Sequence, residues 1–239
     1  MQGVSIWQFD TSAKEYLSGA NHRAKWMTSE FSECRLPSPQ FLMGATEYAA
    51  SAKSVKGANL VFRAVQNAAN QRTFIASLSP RCPTGNSLAI LEAGRWRNEL
   101  IARCNAFLSD YALRPRMSQA NLNWFVVAEM PVLPIQVEKV ERFISSAVRA
   151  LLFVGKTHAG ECAEQATFSW RRSWAVTPHE RLRVRAMLDA VIARSIGLDF
   201  EEYKWVLREV DYPAAQLADR RFCDGLDTKG FWRVDRDSD

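Results

Sequence analysis

The spacing of apolar residues changes along this chain, and the change limits the folds that it can adopt. As far as residue 91, apolar residues occur in short runs broken by Gly, Asn and Pro, which is typical of strands joined by turns. We predict strands over residues 4–9, 40–48, 59–65, 72–78, 87–91 and 122–128.

Apolar residues with helical spacing follow. Positions 100, 101, 104, 107, 108 and 111 form one stripe, which predicts a single helix that ends at Pro115. Glu99 and Arg103 are four residues apart and are expected to pair on the outer side of this helix. A second stripe over residues 140–151 predicts another helix.

Two further helices are predicted from their start signals. Thr177 and Glu180 form a capping box with Pro178 at the first helical position, and Gly197 is the predicted end of that helix. Asp199 begins the next helix. The predicted fold class is therefore α+β. A mixed β-sheet domain over residues 1–134 precedes a helical C-terminal region over residues 135–239.

Several functional classes find no support in the sequence. The five cysteines include no C-x-x-C pair, which argues against a zinc ribbon and a disulfide scaffold. No signal sequence or membrane-spanning run is present, so we expect a cytoplasmic protein with no membrane association. Glycine-rich phosphate loops and the common hydrolase motifs are also missing. We accordingly expect no catalytic residue, no metal and no cofactor in this chain.

Acidic residues are distributed unevenly. The chain has 26 Asp and Glu residues, yet none lies between Glu47 and Glu92, and none lies between Tyr111 and Ala128. A surface without carboxylates does not repel phosphate, and scattered Lys and Arg then attract nucleic acid. A buried sheet flanked by neutral loops explains the same composition, and both interpretations stay open at this point. Net charge is only +5, which permits a polyanionic partner without requiring one.

Ordered blocks of residues resemble a known protein family. They are LVFR (60–63), NQRTFIA (70–76) with Pro80 and Gly85-Asn86, the helix over 100–114, NLNWFVV (121–127), MPVLP (130–134), LRVRAMLDA (182–190), YKWVL (203–207) and KGFWRV (229–234). Together these blocks resemble the C-terminal specificity region of large adenine-N6 DNA methyltransferases. That family includes the fused type IIG restriction-modification enzymes and related phage-defence methylases.

The resemblance implies sequence-specific recognition of double-stranded DNA. In the family, an upstream methyltransferase domain carries a glycine-rich cofactor loop for S-adenosylmethionine and an Asn-Pro-Pro-Tyr motif, and many members also carry a nuclease domain. This chain has none of these motifs. We therefore expect a fragment, a split specificity subunit or a gene remnant whose partner is a methyltransferase domain or subunit.

We expect basic residues of the acid-free stretches to contact the DNA backbone: Lys53, Lys56, Arg63, Arg72, Arg81, Arg114 and Arg116. Amide side chains of the same stretches are expected to read base edges, because they present a donor beside an acceptor: Asn67, Asn70, Asn86 and Asn123. Each residue also has a structural alternative, such as an ion pair at a sheet edge or a turn. The rival hypothesis for the whole chain is a protein-interaction module that docks through its helices over residues 137–210, with no DNA role.

Overall fold

A computed structural model describes residues 1–29, 38–51, 59–66, 70, 72–80, 82–117, 121–132, 135–152 and 174–208. This part of the chain has an α+β fold, as predicted, with two small antiparallel sheets and a set of helices. The helices are α1 (Ala45–Ser51), α2 (Arg97–Cys104), α3 (Phe107–Leu113), α4 (Trp124–Ala128), α5 (Glu138–Leu152), α6 (Pro178–Ser195) and α7 (Phe200–Arg208).

The sheets differ in size and burial. Strands β1 (Lys14–Ser18) and β2 (Lys25–Thr28) form an exposed hairpin. Strands β3 (Asn59–Arg63), β4 (Ala76–Ser79) and β5 (Leu88–Leu91) form a second sheet in the order β4-β3-β5. The first four residues of β3 are buried, because this apolar strand lies in the centre of the sheet. The strands predicted over residues 59–65 and 87–91 are thus confirmed, and β4 confirms part of the one over residues 72–78.

The largest apolar cluster joins the sheet to the helices. Leu60 of β3 and Leu78 of β4 pack in it with Ile101 of α2, Ile144 of α5 and Ile192 of α6. The cluster therefore draws residues from both sides of the boundary predicted near residue 134. The sheet and the C-terminal helices share one hydrophobic core.

Helix α5 confirms its predicted apolar stripe, and helices α6 and α7 confirm their predicted start signals. The capping box of α6 is complete, since Glu180 N donates to Thr177 Oγ1 at 3.2 Å and Thr177 N donates to Glu180 Oε2 at 2.9 Å. Asp199 caps α7 in the same way, by accepting a hydrogen bond of 2.8 Å from the backbone N of Glu202.

The predicted strand over residues 4–9 is wrong. Residues Gly3–Ser5 form a 3-10 turn, and Phe9 has a positive φ of 56°. Ile6 and Phe9 are both buried, but they pack in different apolar clusters, so this segment folds back instead of presenting one face to a single core. Alternation alone did not distinguish this from a strand.

Two more predicted strands are helical. Residues 40–48 contain the start of α1, and their apolar residues Phe41 and Leu42 are exposed instead of facing a core. Residues 122–128 contain α4. Leu122 and Val126 enter the same apolar cluster, but Trp124 is 51% exposed, whereas a strand would place all three side chains on one face.

The helix predicted through residue 111 is divided. Asn105 separates α2 from α3, because its side chain binds the backbone of β4 instead of continuing the helix. Glu99 and Arg103 do form the predicted i, i+4 pair, at 2.9 Å, but both side chains are buried. The expected outer side of α2 is covered, since α2 packs against β4, α5 and α6.

Candidate nucleic-acid interface

Arg72 is a core residue and not a surface cation. Its Nε atom lies 2.5 Å from Asp110 Oδ2, and the two side chains are 8% and 0% exposed. The guanidinium carbon lies 4.1 Å from the centre of the Phe107 ring, and an Nη atom donates to the backbone oxygen of Asn105. The expectation that Arg72 contacts DNA phosphate is therefore wrong, because its charge is buried and paired.

Asp110 organises the beginning of β4 from helix α3. Its Oδ1 atom accepts hydrogen bonds from the backbone N of Thr73, at 3.1 Å, and of Phe74, at 2.6 Å. Burial raises the pKa of Asp110, while the charge of Arg72 and the backbone hydrogen bond from Phe74 oppose the rise. The carboxyl group thus pairs with Arg72 and satisfies two buried backbone donors.

Asn105 continues this buried network along β4. Its side chain accepts a hydrogen bond from Ala76 N and donates one to Ala76 O, both at 2.9 Å. Gln8 donates to the backbone oxygen of Asn105 at 3.0 Å. The break between α2 and α3 is therefore fixed to the edge of the sheet.

Asp189 joins helix α6 to the same region. Its Oδ1 atom accepts a hydrogen bond of 2.8 Å from Phe107 N at the start of α3. Burial raises the pKa of Asp189 to about 6, although Arg72 and the bond from Phe107 act in the opposite direction. Burial, and then the charge of Asp189, also raise the pKa of Tyr203 in α7. These residues form a polar connection between the sheet and the C-terminal helices.

Arg63 also has a structural role. Its Nε atom donates to Gly3 O at 2.7 Å, an Nη atom donates to Ile6 O, and the guanidinium lies 5.1 Å from the Trp7 ring centre. Burial lowers the pKa of Arg63 to about 10. Arg63 fixes the N-terminal segment on the sheet and also lines the cleft described below, and its expected contact with the DNA backbone stays a prediction.

Arg114 holds the connection between β3 and β4. It donates to Thr73 Oγ1 at 3.1 Å and to Asn70 O at 3.0 Å. The amide of Asn70 donates to Gln66 Oε1 at 2.7 Å. The structure thus brings Asn70, Arg72 and Arg114 together around Thr73, where all three hold the loop.

The other residues predicted to contact DNA are either exposed or lie outside the described part of the chain. Arg116 is exposed, with 48% of its side chain accessible, and its ion pair with Glu129 is long, at 3.8 Å. Asn86 is exposed in the turn before β5, and Asn123 is exposed immediately before α4. Lys53, Lys56, Asn67 and Arg81 lie outside the described residues.

Three exposed cations that sequence reasoning missed lie on the β1–β2 hairpin. Lys14, Arg23 and Lys25 are all exposed there. The rings of Tyr16 and Trp26 pack edge to face across the strands, 5.6 Å between centres. The sequence does contain a signal for this hairpin. Residues 14–18 and 25–28 are two short runs that mix polar and apolar residues, and Gly19 lies in the segment that joins these two runs.

A cleft lies between this hairpin, the N-terminal segment and the β3–β5 sheet. Its volume is about 330 Å³, and its described lining residues are Gln2, Gly3, Val4, Asn21, Ala24, Trp26, Gln40, Arg63, Val65 and Ser87. None of these described lining residues is acidic. Gly3 is required at the cleft wall, because a Cβ atom there would lie 2.4 Å from the backbone oxygen of Ser87.

Comparisons with protein-family models, with curated proteins and with solved structures find no match to this chain. Among the described residues, no three His, Cys, Asp or Glu side chains are grouped so that they could hold a metal ion. No helix in the same part of the chain combines the length and the apolar character needed to cross a membrane.

Proposed function

We propose that this chain recognises double-stranded DNA for an adenine-N6 methyltransferase, as a specificity region that acts with a separate catalytic domain or subunit. Methyl transfer from S-adenosylmethionine would belong to that partner, since the chain has no cofactor loop and no Asn-Pro-Pro-Tyr motif. The ordered residue blocks that resemble the family support this proposal.

The observation that carries the proposal is the cationic hairpin beside a cleft without acidic lining. Lys14, Arg23 and Lys25 are exposed on the β1–β2 hairpin. Glu15, which follows Lys14 in the sequence, accepts a hydrogen bond of 2.5 Å from the Ser29 hydroxyl. Such a surface attracts phosphate, and a two-stranded ribbon fits the major groove of duplex DNA.

The resembling blocks contribute mainly to the scaffold. Arg72 and Thr73 belong to one block, and Asp110 and Arg114 belong to another; contacts among them fix the β3–β4 connection. In this proposal, the resemblance reflects a shared framework, while phosphate contact falls to exposed residues outside most of these blocks.

Salt-dependent binding to duplex DNA tests the proposal. The affinity of the chain for a labelled duplex should fall as salt rises, with a log–log slope of about −0.9 for each phosphate contact. Arg23→Glu should weaken binding and make the slope shallower. Arg149→Glu is the matched control, because Arg149 is an exposed arginine on α5. Affinity that ignores both salt and Arg23→Glu would contradict the proposal.

Exposed aromatic residues on α7 favour the rival function, docking on a partner protein. Phe200 is 75% exposed and Trp205 is 53% exposed. Under that alternative, Phe200→Ala and Trp205→Ala would abolish binding to the partner protein, and the chain would show no salt-dependent affinity for duplex DNA.

A further inference from the structure

The cleft beside the hairpin is concave, and this shape limits what it can bind. Base edges in an intact duplex lie at the floor of a groove and are reached by protruding protein elements. A recess receives a group that projects from its partner. In nucleic acids, a base that has left the stack projects in this way and is usually recognised by aromatic and polar side chains.

The groups that line the cleft match those of a nucleobase. Trp26 offers an aromatic surface, and Gln2, Asn21 and Gln40 offer carboxamide donors and acceptors. A base has an aromatic face, which can stack on the tryptophan ring, and a polar edge, which can bind the carboxamides. The absence of acidic groups among the described lining residues suits a ligand that carries a phosphate.

Gln40 provides an independent indication that a ligand is expected there. Among the described residues, its half-buried side chain keeps Nε2 shielded from water, and this atom has no hydrogen-bond partner. Buried polar atoms in folded proteins normally have one. A base edge in the cleft, which Gln40 lines, would give this donor a partner.

The cleft has a firm floor and a constrained rim. Arg63 holds Gly3 and Ile6 against the sheet, and Gly3 itself donates to Ser87 Oγ at 3.0 Å. On the rim, Asn21 has a φ of +50°, which fixes the tip of the hairpin above the recess. A recess held in this way is largely formed before binding, which limits the entropy lost when a ligand enters.

We infer that this cleft binds a single unstacked base of a DNA strand, with Trp26 packing on the base and Asn21 and Gln40 contacting its polar edge. The inference rests on the proposed function, since the hairpin cations bring the strand to the cleft. The inference adds a contact between the cleft and an unstacked base, which the proposed function does not require.

The test compares two labelled duplexes of the same sequence, one fully paired and one with a single extra unpaired adenine. Fluorescence anisotropy at fixed salt gives the affinity of the full chain for each. We expect the unpaired adenine to increase affinity about tenfold, the size of one base–aromatic stack. Asn21→Gly and Gln40→Ala should each remove most of this preference while leaving affinity for the paired duplex unchanged.

These variants are chosen to keep the fold. Glycine accepts the positive φ of Asn21, so Asn21→Gly removes the carboxamide without straining the turn. Gln136→Ala is the control for Gln40→Ala, since Gln136 is an exposed glutamine before α5 and outside the cleft. It should keep the full preference for the unpaired adenine.

The outcomes separate the inference from the proposed function. Salt-dependent binding to both duplexes with equal affinity would overturn the inference and leave the proposed function in place. A preference for the unpaired adenine that survives Asn21→Gly and Gln40→Ala would also overturn it. If the chain binds neither duplex, both the inference and the proposed function are wrong. Displacement of the DNA by free deoxyadenosine monophosphate, without discrimination between the duplexes, would show that the cleft takes a free nucleotide instead.

Discussion

At the scale of single residues, three arginines of the acid-free stretches bind backbone groups or a buried acid. Arg63 and Arg114 donate to carbonyl oxygens, and Arg72 pairs with Asp110 from another element. No Asp or Glu is needed next to these three arginines in the sequence, because each of them binds a group from another part of the fold. Sequence composition shows that local acids are missing, but it contains no information on where the partners lie.

Loss of the Arg72 side chain should destabilise the protein strongly. Arg72→Met leaves the Asp110 carboxyl group buried without its cation, which typically costs about 3–5 kcal/mol of unfolding free energy. Urea denaturation of both proteins measures the difference. Arg116→Met is the control and should change stability by less than about 0.5 kcal/mol, because Arg116 is exposed. Equal stability of the two variants would show that the buried pair does not form.

Asp189 should make stability depend on pH. Burial raises its folded pKa from 3.8 to about 6, so between these values the folded state retains a proton that the unfolded state has lost. Stability therefore falls as pH rises through this window, by about 3 kcal/mol in all, and the loss is complete above pH 6.

The comparison with Asp189→Asn isolates this effect. Asparagine keeps an oxygen that can accept the bond from Phe107 N, but it does not titrate. Unfolding free energies of the two proteins should be measured from pH 4 to pH 7, where the wild type should lose about 2 kcal/mol more than the variant, because part of the loss precedes pH 4. Parallel curves would mean that Asp189 is not buried as described. Because Asp110 is present in both proteins, its own titration largely cancels.

At the scale of elements, helices with explicit start signals were predictable, while short segments were predicted only in part, since β3 and β5 were found and α4 was not. Helix α6 is predicted by Thr177, Pro178 and Glu180, since each acts on its neighbours within one turn. Helix α4 was mistaken for a strand, because five residues contain too little of either period to separate them. The break at Asn105 depends on contact with β4, which is distant in sequence.

The cap of α6 should contribute measurably to stability. Thr177→Ala removes the oxygen that accepts from Glu180 N, and such losses cost about 1 kcal/mol. Thr177→Ser retains the hydroxyl and should retain most of the stability. Thermal or urea unfolding checks both variants, and α6 is a sensitive site because Leu188 and Ile192 pack in the main core. A serine variant as unstable as the alanine variant would argue against the hydrogen bond as the cause.

The β1–β2 hairpin should supply much of the electrostatic attraction to DNA. Replacement of Lys14, Arg23 and Lys25 by Gln removes three exposed charges from one element. If all three contact phosphate, the magnitude of the salt slope should drop by about 2.7, at about 0.9 per contact. Circular dichroism provides the folding control. An unchanged slope in a folded triple variant would place the phosphate contacts elsewhere.

At the scale of the whole molecule, the predicted α+β class is confirmed, while the DNA-contact surface stays a prediction. The spacing of apolar residues predicts the fold class, because it reflects which face of each helix or strand is buried. The cleft could not be predicted, since Gln2, Gln40 and Ser87 come from separate segments that meet only in the folded chain. The shared core of Leu60, Ile101, Ile144 and Ile192 means that helix variants will also disturb the sheet.

Selection of bound duplexes from a random pool tests the central claim most directly. The purified chain should be used alone and together with an adenine-N6 methyltransferase partner. DNA recognition predicts enrichment of one short sequence motif, and loss of that enrichment at high salt. A pool that stays random in both arms, with binding that does not respond to salt, would contradict recognition of DNA by this chain.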